Sequence, residues 1–196
     1  NLGTARYTVE GSKGGTTSSA LVFGGGIPPG STKTASTEFF DGTSFTSKPS
    51  MSTAVGQHGG VGTAASAMSF GGQTPSASSG TAQTEEFNQS ANVVTAAAWS
   101  STPSLGTARY TLAGSGTETA ALASGGGTTT AVYGNTEEFD GSSWSEQTDL
   151  STSRRQLAGA GLQTAAFVCG GKLQPNNDAR TDTEHYNGSS WTGGGT

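Results

Sequence analysis

The chain has 196 residues, of which 31% are hydrophobic and 12% charged, and its formal net charge is −5. Low hydrophobicity here accompanies low net charge, whereas disordered chains usually combine low hydrophobicity with high charge. Nine Lys and Arg stand against 14 Asp and Glu with no basic cluster, which excludes the electrostatic surface that nucleic acids require, so we predict no nucleic-acid partner.

One phrase occurs four times along the chain. Thr-Glu-Glu-Phe-Asp-Gly-Ser-Ser-Trp at 136–144 recurs as Thr-Glu-His-Tyr-Asn-Gly-Ser-Ser-Trp at 183–191, and degraded copies stand at 37–45 and 84–88. A glycine pair precedes each copy, and successive pairs are 47, 54 and 45 residues apart. Such a period predicts a repeated supersecondary unit. The repeats are placed at about 2–50, 51–104, 105–149 and 150–196 within a single domain spanning 1–196.

Each repeat is predicted to contain four short strands. Apolar runs such as Ala20 to Phe23 and Ala165 to Cys169 are short and end at glycines, which favours buried strands over helices. Asp140-Gly141 and Asn187-Gly188 predict tight hairpins, because Asp or Asn followed by Gly tolerates positive φ at both turn positions. With 32 glycines working against helices, we predict an all-β chain with no helix longer than about two turns.

The repeats share an order of residues beyond their spacing. In each, a glycine pair follows the second predicted strand, and an aromatic residue and then a second, bulky aromatic residue follow the pair. The sets are Gly24-Gly25, Phe40 and Phe45; Gly71-Gly72, Phe87 and Trp99; Gly125-Gly126, Phe139 and Trp144; and Gly170-Gly171, Tyr186 and Trp191. This order resembles the kelch repeat over essentially the whole chain. The resemblance implies a β-propeller of four-stranded kelch-like blades, one blade for each repeat.

Three sequence phrases are similar to one subset of kelch-like repeats. Leu-Gly-Thr-Ala-Arg-Tyr at 105–110, the Ala/Gly/Thr-rich 113–121 and the phrase at 136–144 are similar to the kelch-like repeats of virion proteins from marine phages, especially those infecting cyanobacteria. This similarity implies a non-enzymatic virion component: a tail-fibre, decoration or adhesin-like propeller. Its expected partners are other virion proteins, further copies of itself or host-surface glycans. The alternative is a cytoplasmic kelch adaptor domain that binds proteins.

Recurring charged residues are predicted to be structural. Glutamate follows threonine in every copy of the main phrase, and arginine recurs before the first strand of three repeats. A residue repeated by symmetry usually belongs to the construction of the unit, and an Arg fork suits carboxylate contact where solvent is scarce. We therefore predict buried pairs, with Glu85 satisfied differently because Val55 replaces arginine in its repeat. The residues concerned are Arg6, Arg109, Arg154, Glu38, Glu85, Glu137 and Glu184.

Residues able to support catalysis or bind metal do not form a recognisable pattern. His58 and His185 lie at non-equivalent repeat positions, and no serine stands in a nucleophile-elbow motif. Cys169 is the single cysteine, so it forms no intrachain disulfide, and it stands where Phe23 and Phe70 stand in other repeats. We predict that it is a buried small hydrophobe. No enzyme activity, metal site or cofactor is predicted.

The segments after the glycine pairs are the best candidates for binding. They differ in length and content between repeats, and loops on a rigid scaffold commonly carry specificity; neutral surface variation is the alternative. The insertion from Asn88 to Ala98 is expected to contact a neighbouring subunit or domain. The loops are 26–34, 73–82, 127–135 and 172–181.

The ends of the chain bear on ring closure. We expect no membrane insertion, since no run of 18 apolar residues exists, and no signal peptide is recognisable. Leu2 to Arg6 reads as the continuation of Trp191 to Thr196, by analogy with Trp99 to Arg109 inside the chain. The ends therefore either close a four-bladed ring, which we favour, or mark a piece of a longer array.

Overall fold

The protein folds as four small antiparallel sheets. The computed structural model describes residues 1–29, 32–76, 80–89, 98–176 and 178–194, and these ranges contain β-strands and no helix. The sheets, called blades 1 to 4 in chain order, have four strands each, paired in sequence order. This confirms the all-β prediction and is consistent with a four-bladed β-propeller.

The strand bounds follow the predicted repeats. Blade 1 consists of β1 (Glu10–Gly11), β2 (Ala20–Phe23), β3 (Thr37–Phe40) and β4 (Phe45–Lys48). Blade 2 consists of β5 (Gly59–Gly62), β6 (Ser66–Phe70), β7 (Thr84–Asn88) and β8 (Ala98–Thr102). Blade 3 consists of β9 (Ala113–Gly116), β10 (Ala121–Ser124), β11 (Thr136–Phe139) and β12 (Trp144–Glu146). Blade 4 consists of β13 (Ala158–Leu162), β14 (Ala165–Cys169), β15 (Thr183–Tyr186) and β16 (Trp191–Gly193).

The first strand of each blade lies innermost. β1 contacts β5, β5 contacts β9 and β9 contacts β13, so the inner strands succeed one another around a common axis. Each glycine pair ends the second strand with a left-handed backbone, as at Gly71 (φ 67°) and Gly72 (φ 98°), which a side chain would strain. The positions predicted for the glycine pairs are confirmed.

The Asp-Gly and Asn-Gly hairpins form, but their turn type was predicted wrongly. Phe139 pairs with Trp144, so the connection has four residues, and only Gly141 in it has positive φ, at 92°. The Asp140 carboxylate accepts hydrogen bonds from the amides of Ser142 and Ser143, each at 2.8 Å. The acidic side chain thus acts as a local acceptor that holds the turn, as Asx turns do.

Three seams between successive blades contain the core. Each seam is a cluster of buried side chains from two neighbouring blades, and a Trp from the later blade packs into it. The clusters are centred on Leu21, Phe23 and Phe87 (blades 1 and 2), on Met68, Phe70 and Phe139 (blades 2 and 3), and on Leu122, Val168 and Tyr186 (blades 3 and 4). Each seam therefore combines buried aromatic rings with buried Leu, Met or Val side chains.

Two seams also carry an indole hydrogen bond. The Trp191 Nε1 group donates to Thr136 Oγ1 of the preceding blade at 2.9 Å, and Trp99 Nε1 donates to Thr37 Oγ1 at 3.0 Å. In the seam between blades 2 and 3, the equivalent groups, Trp144 Nε1 and Thr84 Oγ1, are buried without a hydrogen-bond partner.

The predicted Arg–Glu pairs are confirmed, and each lies within one blade. Arg109 Nη1 donates to Glu137 Oε1 at 2.7 Å, and Arg6 and Arg154 contact Glu38 and Glu184 in the same way. All three arginine side chains are fully buried. The pairs therefore belong to the blade framework, where each buried charge needs its partner.

Each glutamate also fixes the segment that leads into its blade. Glu137 Oε2 accepts the amide of Gly106 at 2.6 Å, and the other two paired glutamates accept equivalent amides. In blade 2, where Val55 replaces arginine, Glu85 accepts two amides, from Ser52 at 2.7 Å and Thr53 at 3.0 Å. The prediction that Glu85 is satisfied by other means is confirmed.

Thr136→Val should lower the free energy of unfolding by about 1–3 kcal/mol, because the buried Trp191 indole N–H loses its acceptor. Thr84→Val is the matched control: its hydroxyl has no partner, so the substitution should change stability by less than about 0.5 kcal/mol or increase it. Urea titrations of both variants give the comparison. Equal losses at the two sites would refute a contribution from the indole hydrogen bond.

Glu137→Gln should cost about 3–5 kcal/mol, since it leaves the Arg109 charge buried without a counter-charge. Glu85→Gln should cost only about 1–2 kcal/mol, because the amide oxygen still accepts one backbone N–H. Thermal and urea unfolding monitored by Trp fluorescence would measure both. A loss at position 85 as large as that at 137 would contradict the assignment of an ion pair to the core of blade 3.

Two predictions, the closure of a four-bladed ring and the burial of Cys169, are not confirmed. Among the described residues, no hydrophobic cluster joins blade 4 to blade 1, so closure of a four-bladed ring is not shown, and Gly195 lies outside the described residues. Cys169 is half-buried and not fully buried, because it lies on the face of blade 4 that no blade covers. No described helix is long and apolar enough to cross a membrane.

Candidate functional site

The four inner strands surround a cavity on the axis. One end of it, about 280 Å³ in volume, is lined by residues from all four blades. These residues stand at or just before the start of each inner strand. The glycine-pair loops leave the blades at the same end, because Tyr7 bridges Gly26 and Tyr110 bridges Gly127 in antiparallel register. We call this end the loop face and the opposite end the hairpin face.

Four equivalent residues with a left-handed backbone surround this cavity. They are Thr8 (φ 50°), Gln57 (φ 57°), Thr111 (φ 55°) and Gln156 (φ 57°). Positive φ is uncommon outside glycine and is a clear outlier for a β-branched threonine. Backbone hydrogen bonds connect three of them: the Thr111 amide donates to Gln57 O, and the Gln156 amide to Thr111 O, both at 2.8 Å. The sequence pattern did not reveal these residues, because threonine and glutamine carry no signal for this backbone.

Among the described residues that line the axial openings, the charged ones belong to blade 1. Glu10 of blade 1 has Gly59, Ala113 and Ala158 as its register equivalents. Lys13, just beyond β1, reaches across the axis, and its Nζ donates to Gly114 O of blade 3 at 2.6 Å and to Gly159 O of blade 4 at 3.4 Å. The carbonyls of two blades thus hold the Lys13 ammonium over the axis.

Burial shifts the pKa values of Glu10 and Lys13 on the axis. It raises the pKa of Glu10 to about 7, against the opposing effects of the Lys13 charge and the Gly11 amide. Burial also lowers the pKa of Lys13, against the attraction of Glu10. His58, which is fully buried and stacks on Phe23 at 5.7 Å between ring centroids, has its pKa lowered to about 3. Its imidazole is therefore neutral at physiological pH.

Glu10 and His58 have opposite effects on stability. From pH 4.5 to about 7, the folded chain holds a Glu10 proton that the unfolded chain has released, so stability falls as the pH rises. From about pH 3 to 6.5, the unfolded chain binds a His58 proton that the folded chain does not, so stability rises with pH. The two dependences oppose each other where they overlap.

Glu10→Gln should therefore raise the free energy of unfolding at pH 8 by about 1–2 kcal/mol, because it removes a carboxylate that is poorly solvated. At pH 4 the effect should be small, since the wild-type carboxyl is then protonated in the folded chain. Urea titrations at the two pH values measure the difference. Asp149→Asn, at an exposed carboxylate, is the control, and an equal effect of Glu10→Gln at both pH values would refute the burial of Glu10.

The hairpin face has an axial opening of its own, about 370 Å³ in volume. The turns that follow the inner strands line it, including Gly14, Thr63, Thr117 and Leu162, with Lys13 at its floor. Lys13 thus lies between the two axial openings, because its hydrogen bonds to blades 3 and 4 cross the passage.

The variable loops form the other concave surface of the loop face. A groove of about 470 Å³ lies between the loops of blades 3 and 4, lined by Thr130, Val132, Ser153, Leu173 and Gln174, with Ala131 and Pro175. The groove mixes uncharged hydrogen-bonding groups with apolar ones. Tyr7 is 42% exposed on the same face, with Lys33 Nζ 6.0 Å from its ring centroid.

The candidate groups weighed from the sequence lie apart. His58 is inside the seam between blades 1 and 2, whereas His185 is exposed on blade 4 near Phe167, with 6.3 Å between ring centroids. In the described part of the chain, no three His, Cys, Asp or Glu side chains come close enough together to hold a metal ion. Residues 30, 31, 77–79 and 177 of the predicted binding loops lie outside the described residues. Residues 90–97 of the insertion between Asn88 and Ala98 also lie outside them.

Comparison with known proteins does not assign the chain to a family. No model of a known protein family matches the chain, and no curated protein matches it at a significant level. The geometry of the loop face and the repeat pattern therefore carry the functional inference.

Proposed function

We propose that this chain is a non-enzymatic binding propeller of a phage virion, a tail-fibre, decoration or adhesin-like component, and that its loop face contacts host-surface glycans or other virion proteins. The observation that carries the proposal is the separation of constant and variable parts. The blade framework repeats four times, whereas the four glycine-pair loops, which differ between repeats, leave from one face, around the axial cavity. A rigid scaffold with variable loops on one face suits recognition.

The chemistry of the loop face favours a ligand rich in hydroxyl groups. The groove between blades 3 and 4 offers Thr130, Ser153 and Gln174 for hydrogen bonds and Leu173 and Val132 for apolar contact. Such a combination, few polar groups on an apolar wall, is typical of small-molecule sites and fits a sugar ring. The net charge of −5 gives no general attraction for anionic polymers.

The positions of the recurring arginines support a non-enzymatic function. Arg6, Arg109 and Arg154 have fully buried side chains in ion pairs within blades 1, 3 and 4, which leaves them no contact with a ligand at the surface. The virion assignment rests on the similarity of the repeat phrases to kelch-like repeats of marine phages. It favours particle-bound copies over a free cytoplasmic protein.

Glycan binding can be tested with host-surface polysaccharide purified from cyanobacteria and immobilised for biolayer interferometry. Wild type should bind, and Ser153→Trp, which fills the loop groove, should weaken binding at least about tenfold. Thr119→Trp, at an exposed residue on the hairpin face, is the matched control and should bind like wild type. Equal binding by all three proteins would place recognition away from the loop groove.

The virion assignment has a separate test. Antibodies raised against the chain should label purified cyanophage particles in immunogold electron microscopy, at one defined part of the particle. Labelling only of the soluble fraction of infected cells would refute the assignment, whatever the outcome of the glycan measurement.

A further inference from the structure

We propose that blades 1 and 4 form the two walls of a docking site for one further blade, a four-stranded antiparallel unit of this repeat type carried by a partner polypeptide. The side of each blade that packs on the next blade is called its front face, and the side that packs on the preceding blade its back face. The site consists of the front face of blade 4 and the back face of blade 1.

The three formed seams share one set of contacts. The second glycine of each pair donates its amide to a carbonyl of the next blade: Gly25 to Val55 at 2.8 Å, Gly72 to Arg109 at 2.9 Å and Gly126 to Arg154 at 2.9 Å. A glycine of the next inner strand also lies against the preceding blade. A Cβ on Gly60 would lie 3.0 Å from Glu10 Cβ, one on Gly114 2.8 Å from Phe70 Cζ, and one on Gly159 2.9 Å from Ala113 Cβ.

Blades 4 and 1 do not make these contacts in the described structure. Gly11 is the register equivalent of Gly60, yet a Cβ there would meet only Leu21 O of its own blade within 4 Å. Gly170 is the equivalent of Gly71 and Gly125, which lie against the following blade. A Cβ on it would meet only Arg180 O of its own blade. The fourth seam is therefore open at both of these positions.

Both walls present side chains of the kind that the formed seams bury. On blade 4, Phe167 is 40% exposed and Leu162 60% exposed, whereas the equivalents of Phe167 in the other blades are fully buried. Those equivalents are Leu21, Met68 and Leu122. On blade 1, Phe40 and Phe45 pack together with ring centroids 4.9 Å apart and are half-buried. Phe87 and Phe139, the equivalents of Phe40, are fully buried.

The width of the opening fits a single blade. Lys13 of blade 1 reaches matching carbonyls of blade 3 and of blade 4, at Gly114 and Gly159. The ammonium group of blade 1 thus contacts equivalent carbonyls of the third and fourth blades. In a regular ring the third and fourth positions are equivalent relative to the first when there are five positions, of which this chain fills four. A second copy of the chain would bring four blades to an opening of one position, so the occupant is one blade.

The residues of the two walls also indicate which residues the partner blade needs. A Trp of the later blade packs into each of the three formed seams, so the partner needs a Trp on its back face. Leu2 stands at the position of Met51, Leu105 and Leu150, each of which is buried in a seam. The partner's front face therefore needs a glycine pair against which Leu2 can pack. The third repeat of this chain has both features.

The test uses the full chain and a separate, tagged polypeptide with the sequence of residues 105–149 as the probe blade, co-expressed because a single blade does not bury its faces alone. The probe should co-purify with the full chain at one to one. The complex should melt several degrees above the chain alone, and Phe167 and Leu162 should become protected from hydroxyl-radical labelling.

Variants of the wall separate this outcome from non-specific capture. Phe167→Lys, and independently Leu162→Glu, should weaken capture at least about tenfold, because a charge would be buried in an apolar seam. Thr119→Lys, on an exposed turn of blade 3, should leave capture unchanged. Without the probe, each of the three variants should melt at the wild-type temperature in circular dichroism, which would show that it is folded.

Three results would overturn the proposal. A chain that forms dimers lost with Phe167→Lys would show that a second copy covers this face. A monomer with Phe167 protected and no capture would show that blades 4 and 1 close on each other. A monomer with Phe167 reactive and no capture would show that the opening takes no blade.

Discussion

Successive blades approach so closely at the axis that one position of the inner strand tolerates only a hydrogen atom. At Gly60, Gly114 and Gly159 a Cβ would lie within about 3 Å of the preceding blade, a separation that packed side chains do not reach. The rest of the molecule follows from this constraint. The inner strands consist largely of small residues, so most of the large buried side chains of each seam come from the other strands and from the segments that lead into the blades.

The buried Arg–Glu pairs fix the chain segments that lead into three of the blades. Each pair ties the segment entering a blade to the third strand of that blade. A buried pair contributes little net stability but strongly penalises arrangements that separate its members. In a chain of four similar repeats, this penalty helps each entering segment to find its own blade and not a neighbouring one.

Repetition made most of the fold predictable from the sequence. The phrase at 136–144 and its copies located every third strand, the glycine pairs located the ends of every second strand, and the recurring Arg and Glu indicated their pairing. The axial site could not be predicted, because it depends on departures from the repeat. Glu and Lys are usually surface residues, so their presence at 10 and 13 gave no sign of an axial position. That position follows from the strand registers, in which Gly59, Ala113 and Ala158 are the equivalents of Glu10 in the other blades. The four-residue hairpins were missed because Asp140 holds its turn through its side chain.

The Lys13 contacts make the two ends of the blade series unequal. Blades 2 and 3 have a seam on each side, whereas blades 1 and 4 have one seam each, and nearest-neighbour arrays lose their ends first. Blade 1, however, is also tied across the axis to blade 3 through the Gly114 carbonyl at 2.6 Å, whereas the cross-axis bond to Gly159 of blade 4 is longer, at 3.4 Å. Blade 4 depends mainly on its seam with blade 3, so its outer strands should open independently of the others. Amide hydrogens of β15 and β16 would then exchange fastest, and local unfolding would begin at the C-terminal side of the ring.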